Sequence, residues 1–340
     1  MKSLMLTETL EAADLVSRQL SLDQKRYVDF ARILRASDRR AILTLARGSS
    51  DHAAHYLAYL TMSRLGQLVT SLPMSLVTLY QSQFNAKHIL SFAFSQSGQS
   101  PDLIEPTQQF RRGGGLTAAF VNQADSPLAL EAEWLFPLHA GSEKSVAATK
   151  SFIAQLVAGV RLVSHWQENT QLQEAMLHLP EVMSKASQVN WLAAVEAFAS
   201  VDRLMVIGRG TGMPVALEAA LKLKETCGIQ AEAFSGAEVR HGPMRLIEEA
   251  YPLLVFAPRG PSQAGLLSFA KEMRERGAKV LLAAPIGTAG MDLPIIPCMD
   301  IDLDPISMIQ SFYPMVEALA RARGFNPDQP RFLSKVTRTQ

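Results

Sequence analysis

Three apolar runs recur at one spacing in the two halves of this chain of 340 residues, and a sequence that repeats itself this way has few architectures open to it. "ILTLARGSS" at 42–50 is answered by "LMVIGRGTG" at 204–212, an offset of 162. "ILSFAFSQSGQS" at 89–100 aligns with "PLLVFAPRG" from Pro252, which sets Ser100 opposite Ser262 at the same offset of 162. From Gly115, "GLTAAFVNQADSP" matches "AKVLLAAPIGTAG" from Ala278 at 163. Each run is short, rich in Leu, Ile, Val and Phe, and leads through a Gly/Ser loop into a helical pattern. Buried parallel strands with crossover helices read this way. The expected fold is therefore α/β: two similar three-layer α/β/α units in pseudo-repeat, each on a central, mainly parallel sheet.

The coarse division places a helical segment at 1–38, a first repeat with connecting helices at 39–190, a second at 191–324 and a tail at 325–340. A helix is expected from Val146 to Glu168, ending near "QENTQLQ". Apolar residues at 48% and charged residues at 19% are the composition of a soluble globular protein. With 33 basic against 32 acidic side chains there is no basic face for nucleic acid. The N-terminus turns acidic before an apolar stretch develops, and nowhere do 18 apolar residues run uninterrupted, so no secretion signal and no membrane span is expected. Cys227 and Cys298 are far apart and form no CxxC pair, which fits a reducing cytoplasm and suggests neither disulfide nor zinc site.

Ligands of parallel α/β sheets bind where strand ends lead into helix N-termini. "SQSGQS" occupies such a place: Gly98 frees backbone N–H groups, and Ser95, Ser97 and Ser100 add hydroxyls. A phosphate monoester is the natural guest, because the lysine of a GxxxxGK[ST] loop is absent. The plain alternative is a Ser-rich turn with capping hydroxyls. The matching loop "APRGPS" keeps Gly260 and Ser262 but loses two hydroxyls, as if one half alone retained the task. Ser49 and Ser50 follow the first strand and belong beside the phosphate loop. Gly208, Gly210 and Gly212 give GxGxG, which fails the dinucleotide pattern. His52 and His55 in "DHAAH" have the spacing of two metal ligands but no third, so no metal is expected.

"PVALEAALKLKETCG" reads as a helix with Pro214 in its first turn and Gly228 past its end. Glu218, Lys222 and Glu225 then share one stripe, which spacing alone explains as a solvated face with a Glu–Lys pair. His241 in "EVRHGP" falls in a loop, and Lys335 in the tail "PRFLSKVT"; alone, each reads as a solvated group.

Five segments in chain order change that weighting. "SQSGQS", "SVAATKSF", "GRGTGMPVALEAALKLKE", "AEAFSGAEVRHGP" and "DQPRFLSKVT" resemble the tandem sugar isomerase (SIS) domains of the isomerase half of glucosamine-6-phosphate synthase, over nearly the whole chain. No counterpart of the glutaminase half precedes the first repeat, so the stand-alone SIS-type glucosamine-6-phosphate deaminases are the nearer likeness. The resemblance implies an enzyme without cofactor or metal that binds a phosphorylated amino sugar and releases fructose 6-phosphate and ammonia. It assigns the sugar phosphate to Ser50, Ser95, Gln96, Ser97 and Ser100. Ser49, Glu143, Val146 and Ala148 would line the sugar, with Ala148 replacing a serine. Glu225 matches the proton-shuttling carboxylate, Lys222 its charged neighbour, His241 the ring-opening histidine and Lys335 the lysine that forms a Schiff base or polarises the carbonyl. Phe332 stands where an asparagine is usual. The resemblance also implies a cytoplasmic homodimer in which His241 serves the neighbouring subunit's site. Phosphate would thus be held by the first half and acid/base chemistry supplied by the helix, loop and tail of the second. The rival activities are a fructosamine-6-phosphate deglycase and another phosphosugar isomerase. A non-enzymatic phosphosugar sensor is the rival from another class, although the first 38 residues offer no helix-turn-helix.

Overall fold

The computed structural model describes residues 2–38 and 41–335, which form two compact units. In chain order the elements begin with α1 (Leu4–Leu10), α2 (Ala12–Ser21), α3 (Gln24–Ala36), β1 (Ala41–Leu45), α4 (Gly48–Leu65), β2 (Val69–Ser71) and α5 (Ser75–Thr78). Next come β3 (Ile89–Ser95), α6 (Pro101–Arg112), β4 (Leu116–Val121), α7 (Pro127–Glu131), β5 (Trp134–Pro137), α8 (Lys150–Trp166) and α9 (Thr170–Leu177). The second series is α10 (Leu179–Ala186), α11 (Leu192–Phe198), β6 (Arg203–Gly208), α12 (Met213–Cys227), β7 (Gln230–Ser235), β8 (Pro252–Phe256), α13 (Gln263–Glu275), β9 (Lys279–Pro285), β10 (Leu293–Ile295) and α14 (Asp304–Ala322).

The first-repeat unit holds residues 14–143, 150–177 and the end of the described chain, Ser334 and Lys335. Its sheet runs β2-β1-β3-β4-β5, parallel throughout, with Leu43 opposite Ser91 and Phe94 opposite Phe120. Phe92, Phe120 and Phe136, all fully buried, pack on that sheet, with the Phe120 and Phe136 rings stacked at 4.9 Å. Rings of this size contribute on the order of 2–3 kcal/mol each when removed from water. The second-repeat unit holds residues 2–13, 144–149 and 178–333. Its sheet, β7-β6-β8-β9-β10, has the same order and is also parallel throughout. In both sheets the order reverses between the first and third strands of the repeat (β1 and β3, β6 and β8). The loops leaving those two strands therefore flank the crevice where ligands of such sheets bind.

The helix expected from Val146 starts only at Lys150. The backbone N–H groups of Lys144 and Ser145 donate to the buried carboxylate of Glu8, and that of Val146 to the Asp328 carbonyl at 3.1 Å. These bonds fix the segment ahead of α8 to α1 and to the chain near Asp328. Among the described residues no helix is long and apolar enough to cross a membrane.

Candidate active site

In the first-repeat unit, β3 ends at Ser95 and its loop enters α6 at Pro101. Ser95 is buried and its Oγ accepts the Gly98 N–H at 2.9 Å, curling the loop. Gly98 has φ +64°, and a Cβ there would lie 2.1 Å from Ser126 Oγ and 2.9 Å from Val121 Cγ2. Residue 98 is thus restricted to glycine by conformation and by space. Ser97 Oγ accepts the Gln99 N–H at 3.3 Å, the Gln96 carbonyl accepts the Asn122 N–H at 3.2 Å, and Ser100 is the N-cap of α6 without a side-chain capping bond. Ser49 and Ser50 lie in the first turn of α4, where Gln155 Nε2 donates to Ser50 Oγ at 2.9 Å. Two helix N-termini and several hydroxyls make this loop pair a fit for an oxyanion.

Arg47 of "ARGSS" donates from Nε to Asp102 Oδ2 at 2.9 Å, in the first turn of α6. The pair ties one loop to the other. Sequence reasoning missed Asp102 and Gln155, because their partners are 55 and 105 residues away and local periodicity carries no such information.

Glu143, expected to line the sugar, has a fully buried side chain in the same unit. Its carboxylate accepts the backbone N–H of Ser151 at 3.1 Å, the Ser151 hydroxyl at 2.6 Å and Lys335 Nζ at 2.9 Å. Lys335 was expected to serve with the second half. Its ammonium instead pairs within the first-repeat unit, against a carboxylate fixed at the α8 N-terminus. Val146 and Ala148 are half-buried in the segment 144–149, in which Ser145, Ala147 and Thr149 are buried.

In the second-repeat unit, α12 has Pro214 in its first turn and ends at Gly228, φ +62°, as its sequence predicts. Its charged stripe is no solvated face. Glu218 and Lys222 have fully buried side chains, and Glu225 keeps 22% of its side chain exposed. Lys222 Nζ lies 3.4 Å from Glu218 Oε1 and donates to Glu225 Oε2, while the Tyr313 hydroxyl donates to Glu218 Oε1 at 3.3 Å. One buried ammonium thus serves two carboxylates, of which Glu225 reaches the surface. Beside it opens a cleft of about 400 Å³ walled by Lys224, Phe325, Arg331 and Phe332.

His241 is exposed and follows a 3-10 turn at Glu238–Arg240. Its N–H donates to the Glu238 carbonyl at 2.9 Å, and Arg240 pairs with Glu272 on α13 at 2.5 Å, which fixes the turn that presents the ring. Gly208 is needed for packing: a Cβ there would come 2.8 Å from Ala216 Cβ. His52 and His55 lie on α4, where burial pushes the His55 imidazole below its ordinary range and its ring packs 5.9 Å from Tyr59.

The SIS domain signature matches residues 36–164 and 197–284. A candidate phosphosugar isomerase from Silicibacter pomeroyi is 39% identical, with a TM-score of 0.91 over 96% of this chain and 100% of its own. Glutamine–fructose-6-phosphate aminotransferase of Thermus thermophilus is 32% identical over 308 residues, 86% of this chain and 51% of the enzyme. The chain spans about half the length of the curated relatives it matches. Glucosamine-6-phosphate deaminase of Thermotoga maritima shares the fold, with a TM-score of 0.79 at 21% identity over 99% of this chain and 100% of its own.

Proposed function

The chain belongs to the SIS domain family, and on that premise we propose that it is a phosphosugar isomerase that converts glucosamine 6-phosphate and water to fructose 6-phosphate and ammonia. The observation that carries this reading is the α12 cluster, in which a buried lysine holds a carboxylate that still reaches solvent. A base poised in this way is what an aldose–ketose proton transfer requires. The 6-phosphate is taken by Ser50, Ser95, Gln96, Ser97 and Ser100, with Ser49, Val146 and Ala148 near the sugar. His241, supplied by the neighbouring subunit of a homodimer, opens the ring by moving the proton between the anomeric hydroxyl and the ring oxygen.

Glu225 then removes the C2 proton of the open 2-amino aldehyde and returns it to C1, leaving an imine at C2. Water adds to that carbon and ammonia departs, leaving the ketone. Lys222 donates to the Glu225 carboxylate and holds it in place. Lys335, paired with Glu143, forms a Schiff base with the open sugar or polarises its carbonyl oxygen.

Purified protein incubated with glucosamine 6-phosphate should release ammonia and fructose 6-phosphate in equal amounts. Absence of both products would sink the reading. Glu225→Gln should lower kcat by about 10²–10⁴-fold, and undiminished turnover in that variant would remove Glu225 from its role.

One observation favours a second activity, a fructosamine-6-phosphate deglycase. The cleft beside Glu225 is larger than ammonia needs, and at its wall Phe332 is fully exposed with φ +64°, a backbone conformation costly for a bulky residue. Release of a free amino acid from an N-substituted fructosamine 6-phosphate, faster than release of ammonia from glucosamine 6-phosphate, would favour that activity.

A further inference from the structure

Helix α8 is buried from residue 150 to 165, and in its interior it carries Arg161, 3% exposed. The guanidinium donates from Nη1 to the Gln19 carbonyl and from Nη2 to Gln24 Oε1, both at 2.8 Å, and lies 4.3 Å over the Tyr27 ring. All of these partners are neutral. Asp23, the acid whose charge is felt at Arg161, is engaged by His139 at 2.6 Å and by Arg26 at 3.8 Å. Among the described residues Arg161 forms no ion pair. A guanidinium has five N–H donors, and burial without an anion is unfavourable enough to lower its pKa. The corresponding helix of the second repeat, α14, shows the usual remedy: its buried acids Asp304 and Glu317 each have a guanidinium partner, at 2.7 and 2.9 Å.

Beside Arg161 lies a cavity of about 360 Å³, lined also by Gln24, Ser164, His165, Gln173 and Glu174. Gln24 gives its oxygen to Arg161 and keeps its NH2 group as a donor. His165 stays neutral, its pKa pushed down to about 4 by burial and by the charges of Arg161 and Arg35. Glu174 is exposed. The cavity thus has a buried cation, a wall of neutral polar groups with Leu20, Met176 and Leu177, and an exposed anion.

We propose that this cavity binds a small zwitterion, an α-amino acid, with its carboxylate on Arg161 and Gln24 and its ammonium on Glu174. The planar guanidinium fork matches a carboxylate, and the volume falls within the roughly 300–1,000 Å³ of small-molecule sites. A bare anion satisfies Arg161 but is repelled by Glu174; a bare amine meets the opposite fault. The cavity shares no residue with the serine loop or with α12, so the proposal stands apart from the activity proposed above.

Calorimetric titration of the full chain with L-glutamine and L-alanine, against acetate, methylamine and inorganic phosphate, tests it. The amino acids should bind at least about tenfold more tightly than acetate or methylamine, a gap of ~1.4 kcal/mol. Glu174→Gln, an exposed change with little effect on Tm, should bring amino-acid affinity down to that of acetate. Arg161→Met should abolish binding; Arg161→Lys, which keeps the charge and loses the fork, serves if the methionine variant does not fold. Tighter binding of phosphate than of the amino acids, no amino-acid heat at about 10 mM, or amino-acid affinity unchanged by Glu174→Gln would each overturn the proposal.

Discussion

The loops after β3 and β8 occupy the same place in two sheets of the same order, yet they use their polar groups differently. After β3, Ser97 and Ser100 are hydroxyls beside a helix N-terminus, and Gly98 is wedged against Ser126. After β8, the position of Ser97 is taken by Arg259, which donates from Nε and Nη2 to the two oxygens of the buried Asp304 at 2.7 and 2.8 Å and also to the Cys298 carbonyl. Ser262, opposite Ser100, donates to the Arg209 carbonyl at 3.3 Å. The second loop is closed by an ion pair from its own chain, whereas the first offers hydroxyls and amide N–H groups suited to a ligand's anion. One fold thus carries a loop of hydroxyls and a loop that braces, and the exchange of a serine for an arginine separates them.

The largest expected effect tests the glycines. Gly98→Ala combines a left-handed backbone with a Cβ placed 2.1 Å from Ser126 Oγ and should destabilise by about 3 kcal/mol, with loss of substrate binding. Gly260→Ala, at φ +121° with its nearest foreign atom 3.7 Å away, should cost about 1–2 kcal/mol and leave KM alone. Denaturant titration and KM for both variants would break the comparison if the two behaved alike.

Next in size is the brace. Arg259→Met strands the buried Asp304 carboxylate and should lower stability by about 3 kcal/mol with little change in KM. A rise in KM with stability intact would mean that this loop binds ligand after all. Ser97→Ala should raise KM for the sugar phosphate about tenfold, the usual worth of a hydrogen bond to a charged group. Ser262→Ala should stay within about 0.5 kcal/mol and leave KM unchanged.

A pH-dependent effect concerns the buried helix α8 alone. Because the pKa of His165 on α8 is about 4 when folded against an ordinary 6.5, its contribution to stability is complete above pH 6.5 and is lost as pH falls toward 4. Tm measured between pH 7.5 and about 5 should drop less in His165→Gln than in wild type. An identical drop in both would exclude this histidine as a source of acid sensitivity.

Much of this was legible in the residues alone. The repeat, the parallel strands and the α12 boundaries follow from local pattern: apolar runs of strand length, a proline that suits a first turn and a glycine that accepts a left-handed cap. The serine-rich loop and its missing lysine were legible for the same reason, since the apolar run before the loop reads as a strand and the loop follows it. Spacing put Lys222 and Glu218 on one side of a helix and allowed a solvated face, because periodicity fixes which side chains share a side of a helix and says nothing of what covers that side.

By itself, then, the sequence determined the fold class, the doubling and the identity of the groups that point to sugar-phosphate chemistry. Tertiary structure alone decided that the α12 lysine is sealed between two acids, that Arg47 clamps Asp102, that Lys335 answers to Glu143 and that Arg259 closes the second loop on Asp304. Outside the α12 helix these partners lie between 45 and 192 residues apart, and an ion pair depends on distance in space and on the local dielectric, neither of which is written in the order of the chain.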